Sequence, residues 1–292
     1  MGYVGRFAPS PTGDLHLGSL YAAAASYLDA KAHGGRWLLR MEDLDRPRVQ
    51  PGSRDGIVRT LERFGFEWDD YLQQSDRVER YEAVLAQLAA AGLTFDCSCS
   101  RSQLVDEERY PGYCRAGPKL AGAPTAKRLR IESGSIQFTD RIQGTFRQDV
   151  AAAVGDMILR RRDGLIAYVL AVVVDDAAQG VTHVVRGADL LDNTPRQIYL
   201  QRRLGVNTPA YAHVPALLES DGRKLAKSAR SATLMERAAV PQLMEVFALL
   251  GLAPPRDLAS ATPAHVWEWA RGQWRIDKVP RRLAYDLPAQ NA

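Results

Sequence analysis

Two short segments, about 200 residues apart, carry residue types suited to phosphate chemistry. The first is Ala8-Pro9-Ser10-Pro11-Thr12-Gly13-Asp14-Leu15-His16-Leu17-Gly18-Ser19. Its prolines and Gly13 exclude regular structure, and an Ala- and Leu-rich stretch follows, so a loop ending at a helix N-terminus is expected. Free N–H groups and partial positive charge at such a terminus suit a phosphate. Gly18 lets a flat ring or a phosphate approach the backbone, and His16 can donate to a phosphate oxygen as charge develops. The second segment is Lys224-Leu225-Ala226-Lys227-Ser228, behind an Asp221-Gly222 turn. Only six lysines occur among the 38 basic residues, so this pair stands out as a mobile cationic clamp. Each segment alone has a plainer reading: a capping loop with an incidental His, and an exposed basic loop. Their joint occurrence in this order is the more specific signal.

A third group points to metal. The three cysteines, Cys97, Cys99 and Cys114, fall within 18 residues of a 292-residue chain. An odd count argues against a disulfide framework. Zinc takes four ligands, usually nitrogen or sulfur, yet His16, His33, His183, His213 and His265 all lie outside this window. The fourth donor is then an oxygen or comes from afar. Asp106, Glu107, Glu108, Tyr110 and Tyr113 are the candidates, a carboxylate being the ordinary choice. The cluster lies outside the phosphate segments, so a structural metal bracing its surroundings is expected; three plain buried thiols are the alternative.

These groups need positioning elements. Tyr3 to Ala8 is expected to be a strand, Gly18 to Lys31 a helix stopped at Gly34-Gly35, and Trp37 to Met41 a second strand. This is a βαβ unit, with its loop at the carboxyl end of the first strand, where open parallel sheets bind ligands. Helices are expected over 53–65 and 76–91, and short β stretches such as Ile136 to Phe138 follow. The apolar run Ala167 to Val174 is read as a strand returning to the parallel sheet, Val181 to Arg186 as another, and Ala210 to Leu218 as the last. Thr194 is expected to N-cap a helix opening at Pro195. Beyond residue 221 the chain reads as helical, interrupted by Pro254-Pro255. Trp267, Trp269 and Trp274 there are read as core packing rather than stacking platforms.

Composition sets the outer bounds. At 46% hydrophobic and 25% charged, the chain is neither a disordered tail protein nor a rod. Its length suggests about two domains. The net charge of +4 is compatible with a polyanionic partner without proving one. No apolar run approaches the ~18 residues of a membrane helix, and the N-terminus has no apolar secretory core. A cytoplasmic protein without a membrane partner is expected.

The two phosphate segments together resemble the signatures of the class I aminoacyl-tRNA synthetases. His16-Leu17-Gly18-Ser19 is similar to their first motif, with Ser19 in place of the final His, and Lys224-Leu225-Ala226-Lys227-Ser228 to their second. Arg6-Phe7-Ala8-Pro9-Ser10-Pro11-Thr12-Gly13 and Leu39-Arg40-Met41-Glu42-Asp43-Leu44-Asp45-Arg46 narrow the resemblance to the glutamyl-tRNA synthetases. Gly65-Phe66-Glu67-Trp68-Asp69, Gln74-Ser75-Asp76-Arg77 and Val185-Arg186-Gly187-Ala188-Asp189 agree with it. The resemblance implies glutamate and ATP with Mg²⁺ as substrates, and attack of the glutamate α-carboxylate on the α-phosphorus. Two carboxylates and an ammonium need at least two cations and one anion. Arg6 and Arg186 fit the first need, because a planar guanidinium binds carboxylate with two bonds. Glu42 fits the second, although it has an alternative partner in Arg40 or Arg46. The same resemblance places Phe7, Ala8, Pro9, Ser10 and Tyr168 around the amino acid. It places Pro9, His16, Gly18, Ser19, Lys224, Lys227 and Ser228 around ATP, with His16, Lys224 and Lys227 assisting the chemistry and Lys227 the main transition-state cation.

The segment Tyr110-Pro111-Gly112-Tyr113-Cys114 is similar to a smaller branch, the glutamyl-Q tRNA(Asp) synthetases, and that resemblance implies Tyr110 as the fourth zinc ligand beside Cys97, Cys99 and Cys114. Only 64 residues follow Ser228, too few for the long anticodon-binding region of a glutamyl-tRNA synthetase. The expected architecture is therefore α/β. A Rossmann-like parallel-sheet catalytic domain (1–92 and 165–220) is split by a zinc-containing inserted domain (93–164). A small helical stem-contact-like domain (221–292) follows, with no anticodon-binding domain. The expected function is tRNA-independent activation of glutamate and its transfer to queuosine at the wobble position of tRNA(Asp), by a monomer. Two alternatives stay open: a shortened synthetase charging a tRNA 3′ end, and an inactive synthetase-like binding module.

Overall fold

The computed structural model describes residues 2–100, 102–132, 135–218 and 234–287. It opens with β1 (Val4–Phe7), α1 (Leu17–Ala32) and β2 (Arg36–Met41). β1 runs parallel to β2, with Arg6 opposite Leu38 and Phe7 opposite Leu39. α2 (Ser53–Arg63) leads to β3 (Asp70–Gln73), which extends the sheet parallel to β2, and α3 (Val78–Ala90) follows. Then come β4 (Thr94–Cys97), β5 (Ala126–Leu129), the hairpin of β6 (Ser135–Asp140) and β7 (Gly144–Asp149), the single turn α4 (Val150–Ala153), and β8 (Met157–Arg160). β4, β5 and β8 form a small antiparallel sheet of their own.

The chain returns through α5 (Tyr168–Ala178) to β9 (His183–Gly187), α6 (Thr194–Leu204) and β10 (Ala210–Val214). β9 and β10 are parallel. Thr182 ties them to β1: its N–H donates to Val4 O at 2.9 Å and its Oγ1 accepts from Val4 N at 2.8 Å. Strand residues alternate between two cores, as a period of two requires. Trp37, Leu39, Met41, Val185 and Ala212 pack with α1 on one face. Leu38, Val184 and Tyr211 pack on the other, against Tyr81 of α3, Leu170 of α5 and Ile198 of α6.

Three expectations are corrected. Ala167 to Val174 is not a strand but the start of α5. The segment is buried on every side, from Leu170 through Val174, so its apolar run shows neither strand nor helix periodicity. Thr194 is not the N-cap of α6 but its first residue, and Asn193 holds the cap position with no side-chain bond. The Thr194 hydroxyl is engaged by Arg186 instead, at 2.8 Å. The last strand is broken at Pro215 into β10 and β11 (Ala216–Leu218), and the C-terminal part is not wholly helical. After α7 (Ala239–Leu249) and α8 (Pro263–Gln273) it returns as β12 (Ala284–Asp286), parallel to β11. Among the described residues no helix is long and apolar enough to cross a membrane.

The tail tryptophans behave as core residues. Trp267 is buried, meets the Tyr27 ring edge-on, and donates from Nε1 to Phe64 O at 2.7 Å. Trp269 is partly buried in the same cluster, against Phe247. Trp274, just past α8, donates from Nε1 to Asp29 Oδ1 at 3.0 Å. Asp29, buried in α1, also accepts from the Tyr3 hydroxyl and from Arg141 Nη1 and Nη2. One carboxylate thus joins the first strand, the β6–β7 turn and the tail. Burial would raise its pKa, but the bonds and charge of Arg141 prevail and hold it below the usual carboxylate value. A group with a depressed folded-state pKa stabilises above its unfolded value and loses that contribution as pH falls. Asp29→Ala is therefore expected to cost about 2–3 kcal/mol at pH 7 in urea unfolding, since it leaves the partly buried Arg141 and the buried Trp274 indole N–H without their acceptor. The difference from the parent is expected to shrink below about pH 4.

Candidate active site

A cavity of about 640 Å³ opens at the carboxyl ends of β1, β2 and β9. Arg6, Phe7, Ala8, Pro9 and Ser10 line it from the first strand and loop, and His16, Gly18 and Ser19 from the start of α1. Glu42, Tyr168 and Arg186 complete the wall. The described residues expected at the amino-acid and nucleotide sites are thus brought to one place. Lys224, Lys227 and Ser228 lie outside the described residues.

The loop is fixed by the chain that follows β2. Glu42 N donates to Pro9 O and Gln50 N to Pro11 O, both at 2.9 Å. Gly13 has φ 132°, a conformation that favours glycine. The Ser53 hydroxyl accepts from Gly13 N at 3.1 Å and donates to Gly13 O at 2.7 Å. His16 N-caps α1, its Nδ1 accepting from Ser19 N at 3.2 Å. The capping role and the chemical role are compatible. With Nδ1 as acceptor, the neutral ring carries its proton on Nε2.

The floor is a buried charge network centred on Arg40, expected only as an alternative partner of Glu42, and on Asp176, which no sequence motif singled out. Arg40 is fully buried. Its Nη2 meets Asp176 Oδ1 at 2.7 Å, and its Nη1 donates to Gln179 Oε1 at 2.9 Å. Arg6 Nε reaches the same Asp176 oxygen at 3.4 Å. Glu42 Oε1 lies 3.5 Å from Arg40 Nε without a hydrogen bond and is buried. The alternative partner foreseen for Glu42 is therefore present, yet one buried carboxylate oxygen keeps its hydrogen-bonding capacity. Burial pushes the Glu42 carboxyl up to about 6, against the pull of Arg40 and Arg6. The Asp175-Asp176 pair at the end of an apolar run was the available signal for the missed network. Two adjacent acids inside a buried helix require partners.

Arg186 is held differently. Nε donates to His213 Nε2 at 3.1 Å, Nη2 to Thr194 Oγ1 at 2.8 Å, and Nη1 faces the Tyr168 hydroxyl at 3.5 Å. Three guanidiniums, of Arg6, Arg40 and Arg186, face two carboxylates, of Glu42 and Asp176. The remaining positive charge complements a zwitterion that bears one extra carboxylate.

The second site lies at the end of β4. The sulfurs of Cys97, Cys99 and Cys114 lie within 4.8 Å of one another, with Cys99 and Cys114 3.6 Å apart. Three thiolates on a tetrahedral zinc sit about 3.8 Å apart, given ~2.3 Å bonds. The Tyr110 hydroxyl is 3.3 Å from Cys97 Sγ and accepts from Cys114 N at 2.8 Å. Among the described residues no carboxylate joins the cluster. Tyr113 points away, donating to Glu107. Burial would raise the Cys114 thiol, but the backbone amides of Lys119 and Ser98 bring it down to about 6. The Tyr110 backbone is locked to Gly155, where an added Cβ would stand 2.3 Å from Tyr110 O.

The family model for the catalytic domain of class I tRNA synthetases (E and Q) matches residues 3–255. The glutamyl-Q tRNA(Asp) synthetase of Ectopseudomonas mendocina is 54% identical over 281 residues, spanning 96% of this chain and 95% of that protein. The protein of the same name from Thiobacillus denitrificans is 53% identical over 294 residues, spanning 98% of each. A glutamate tRNA ligase from Elizabethkingia meningosepticum, solved in complex with its amino acid, superposes with a TM-score of 0.81 at 24% identity. That likeness covers 97% of this chain and 67% of the ligase, and it bears on the fold alone.

The raised Glu42 carboxyl sets a pH dependence. If Glu42 receives an amino-acid ammonium, affinity for that amino acid, measured by calorimetry, is expected to be level above pH 7 and to fall about tenfold per unit below pH 6. Glu42→Gln is expected to weaken binding at pH 7.5 by about 10- to 100-fold and to remove that pH dependence.

Proposed function

The chain belongs to the class I tRNA synthetases for glutamate and glutamine, and we propose that it activates glutamate with ATP and transfers the glutamyl group to queuosine in tRNA(Asp). The observation that carries this reading is 52–54% identity to glutamyl-Q tRNA(Asp) synthetases along nearly the full length of both chains. The pocket chemistry supports it. Arg6 and Arg186 are the carboxylate readers and Glu42 the ammonium reader, while Tyr168 and the Phe7–Ser10 backbone bound the amino acid.

The first step joins the glutamate α-carboxylate to the α-phosphorus of ATP and releases pyrophosphate. It needs no covalent nucleophile, so the protein works by positioning and by stabilising phosphate charge. Pro9, Gly18 and Ser19 let the nucleotide approach the N-terminus of α1. His16 Nε2 donates to a phosphate oxygen. Lys224 and Lys227 supply further positive charge toward the phosphates and Ser228 a hydroxyl, and Mg²⁺ accompanies ATP. In the second step a hydroxyl of the cyclopentene-diol attacks the acyl carbon and AMP leaves. Activation precedes the RNA and does not require it.

Cys97, Cys99, Cys114 and Tyr110 would hold one structural zinc. Bound there, it would join the end of β4 to the loop that packs on Gly155. The domain reading that accompanies this function is a catalytic unit of 1–92 and 165–220, an insertion of 93–164, and a C-terminal unit of 221–292. The antiparallel character of β4, β5 and β8 beside the parallel main sheet supports the middle boundaries.

Labelled glutamate, ATP and purified protein are expected to label queuosine-containing tRNA(Asp) at the wobble nucleotide, located by nuclease mapping. Label on the 3′-terminal adenosine, or none, would overturn the reading. Glutamate-dependent pyrophosphate exchange is expected without RNA. One zinc per chain is expected by elemental analysis. It should be lost in Cys114→Ser and weakened, against a chromophoric chelator, in Tyr110→Phe but not in Tyr113→Phe.

A further inference from the structure

Arg186 is the only one of the three pocket-floor arginines that touches no carboxylate among its described contacts. Its Nε rests on an imidazole, and behind that ring stands Asp140. His213 and Asp140 are both fully buried, with Asp140 Oδ2 2.6 Å from His213 Nδ1. They come from separate parts of the chain: His213 from β10, directly opposite Arg186 of β9 in the parallel register, and Asp140 from the end of β6.

We propose that Asp140 and His213 form a positioning relay for Arg186, fixing the direction of its guanidinium while leaving its positive charge unspent for a substrate carboxylate. The inference rests on the reading that this cavity binds glutamate.

Two independent constraints set the same tautomer. An ionised carboxylate only accepts, so His213 Nδ1 must carry a proton to face Asp140. A guanidinium only donates, so His213 Nε2 must present its lone pair to Arg186 Nε at 3.1 Å. The ring is therefore neutral; a proton on Nε2, which also lies 3.1 Å from the Thr194 hydroxyl, would remove the acceptor that Arg186 uses. Asp140 cannot turn to Arg186 directly. Its Oδ1 already accepts from the backbone N–H groups of Ile142, Gln143 and His213, at 3.0, 2.8 and 3.1 Å. Thr194 Oγ1 and, more distantly, Leu190 O take Nη2 from the same side. With Nε and Nη2 held from behind by uncharged acceptors, Nη1 is presented at the cavity beside Tyr168.

The contrast with Arg6 gives the arrangement its purpose. Arg6 shares Asp176 with Arg40, so part of its charge is matched inside the protein. The acid behind His213, Asp140, is one imidazole ring farther away, and attraction falls with distance. A carboxylate in place of His213 would give the same aim and cancel the charge.

Three variants and one spectrum test this. His213→Asn keeps a donor near Asp140 but loses the acceptor for Arg186. It is expected to raise the glutamate KM in pyrophosphate exchange about tenfold or more, with the ATP KM within about twofold and kcat lowered less than about threefold. Asp140→Asn and Thr194→Val are expected to shift the glutamate KM in the same direction by a smaller factor. They serve if His213→Asn melts below assay temperature. Parallel rises in both KM values, or a fall confined to kcat, would indicate a merely structural role and overturn the relay. In the ligand-free protein, ¹⁵N-histidine spectra at neutral pH are expected to show His213 as the neutral Nδ1–H tautomer; an imidazolium or an Nε2–H form overturns the proposal. Exchange that ignores glutamate altogether would sink the glutamate reading instead, and the spectrum would still decide the relay.

Discussion

The Asp176 carboxylate is the point on which the site turns. It sits inside α5, on the face toward the sheet, and gathers Arg40 and Arg6 at the carboxyl ends of the two central strands. A guanidinium as buried as Arg40 is tolerated only when its donors are matched. Asp176 of α5 and Gln179 at its C-cap match Nη2 and Nη1, while Nε stands 3.5 Å from Glu42 without a hydrogen bond. The consequence runs outward. Arg40 fixes the side of the strand end on which Glu42 stands, burial raises the Glu42 carboxyl, and the pocket keeps one acid aimed inward without a hydrogen bond. Asp175 does the complementary work on the other side, accepting from Gln74, Arg77 and Tyr81 and thereby anchoring the segment that follows β3.

Around this network the chain places two kinds of cation with different duties. Arg6 is half committed to the protein interior, and Arg186 is aimed but not neutralised. His16 adds a third kind of donor, a neutral imidazole whose tautomer is set by the helix it caps. Arg6 is held by a carboxylate that only accepts, and Arg186 by a hydroxyl and an imidazole that also contact other groups.

The remaining parts of the chain converge on the sheet from behind. Asp29 binds the first strand, the β6–β7 turn and Trp274, so the tail and the segment between β5 and β8 are fastened to α1 by one carboxylate. The cysteine cluster stands apart from this, at the far end of β4, and its sulfurs are brought together by a loop whose backbone is pinned at Gly155. The loop before α1 and the cysteine cluster are thus built separately.

Local chemistry made much of this legible in the sequence. Proline, glycine and a helix-forming run located the loop before α1. Strand ends located Arg6, Glu42 and Arg186, and cysteine spacing located the cluster. Those signals are short-range, and the sequence carries them directly. Other features were settled only by packing. The run from Ala167 could not be told from a strand because its Leu170–Val174 stretch is buried throughout, which erases the periodicity that separates the two. Thr194 gave up a capping role because its hydroxyl is worth more to a buried guanidinium. Asp176, Asp140 and His213 carried no local motif, since each matters through a partner at least 27 residues away. Sequence determined which side chains were available to the site. The tertiary structure decided which charges are matched inside the protein and which are left for the substrate, because that depends on burial and on partners no local pattern specifies.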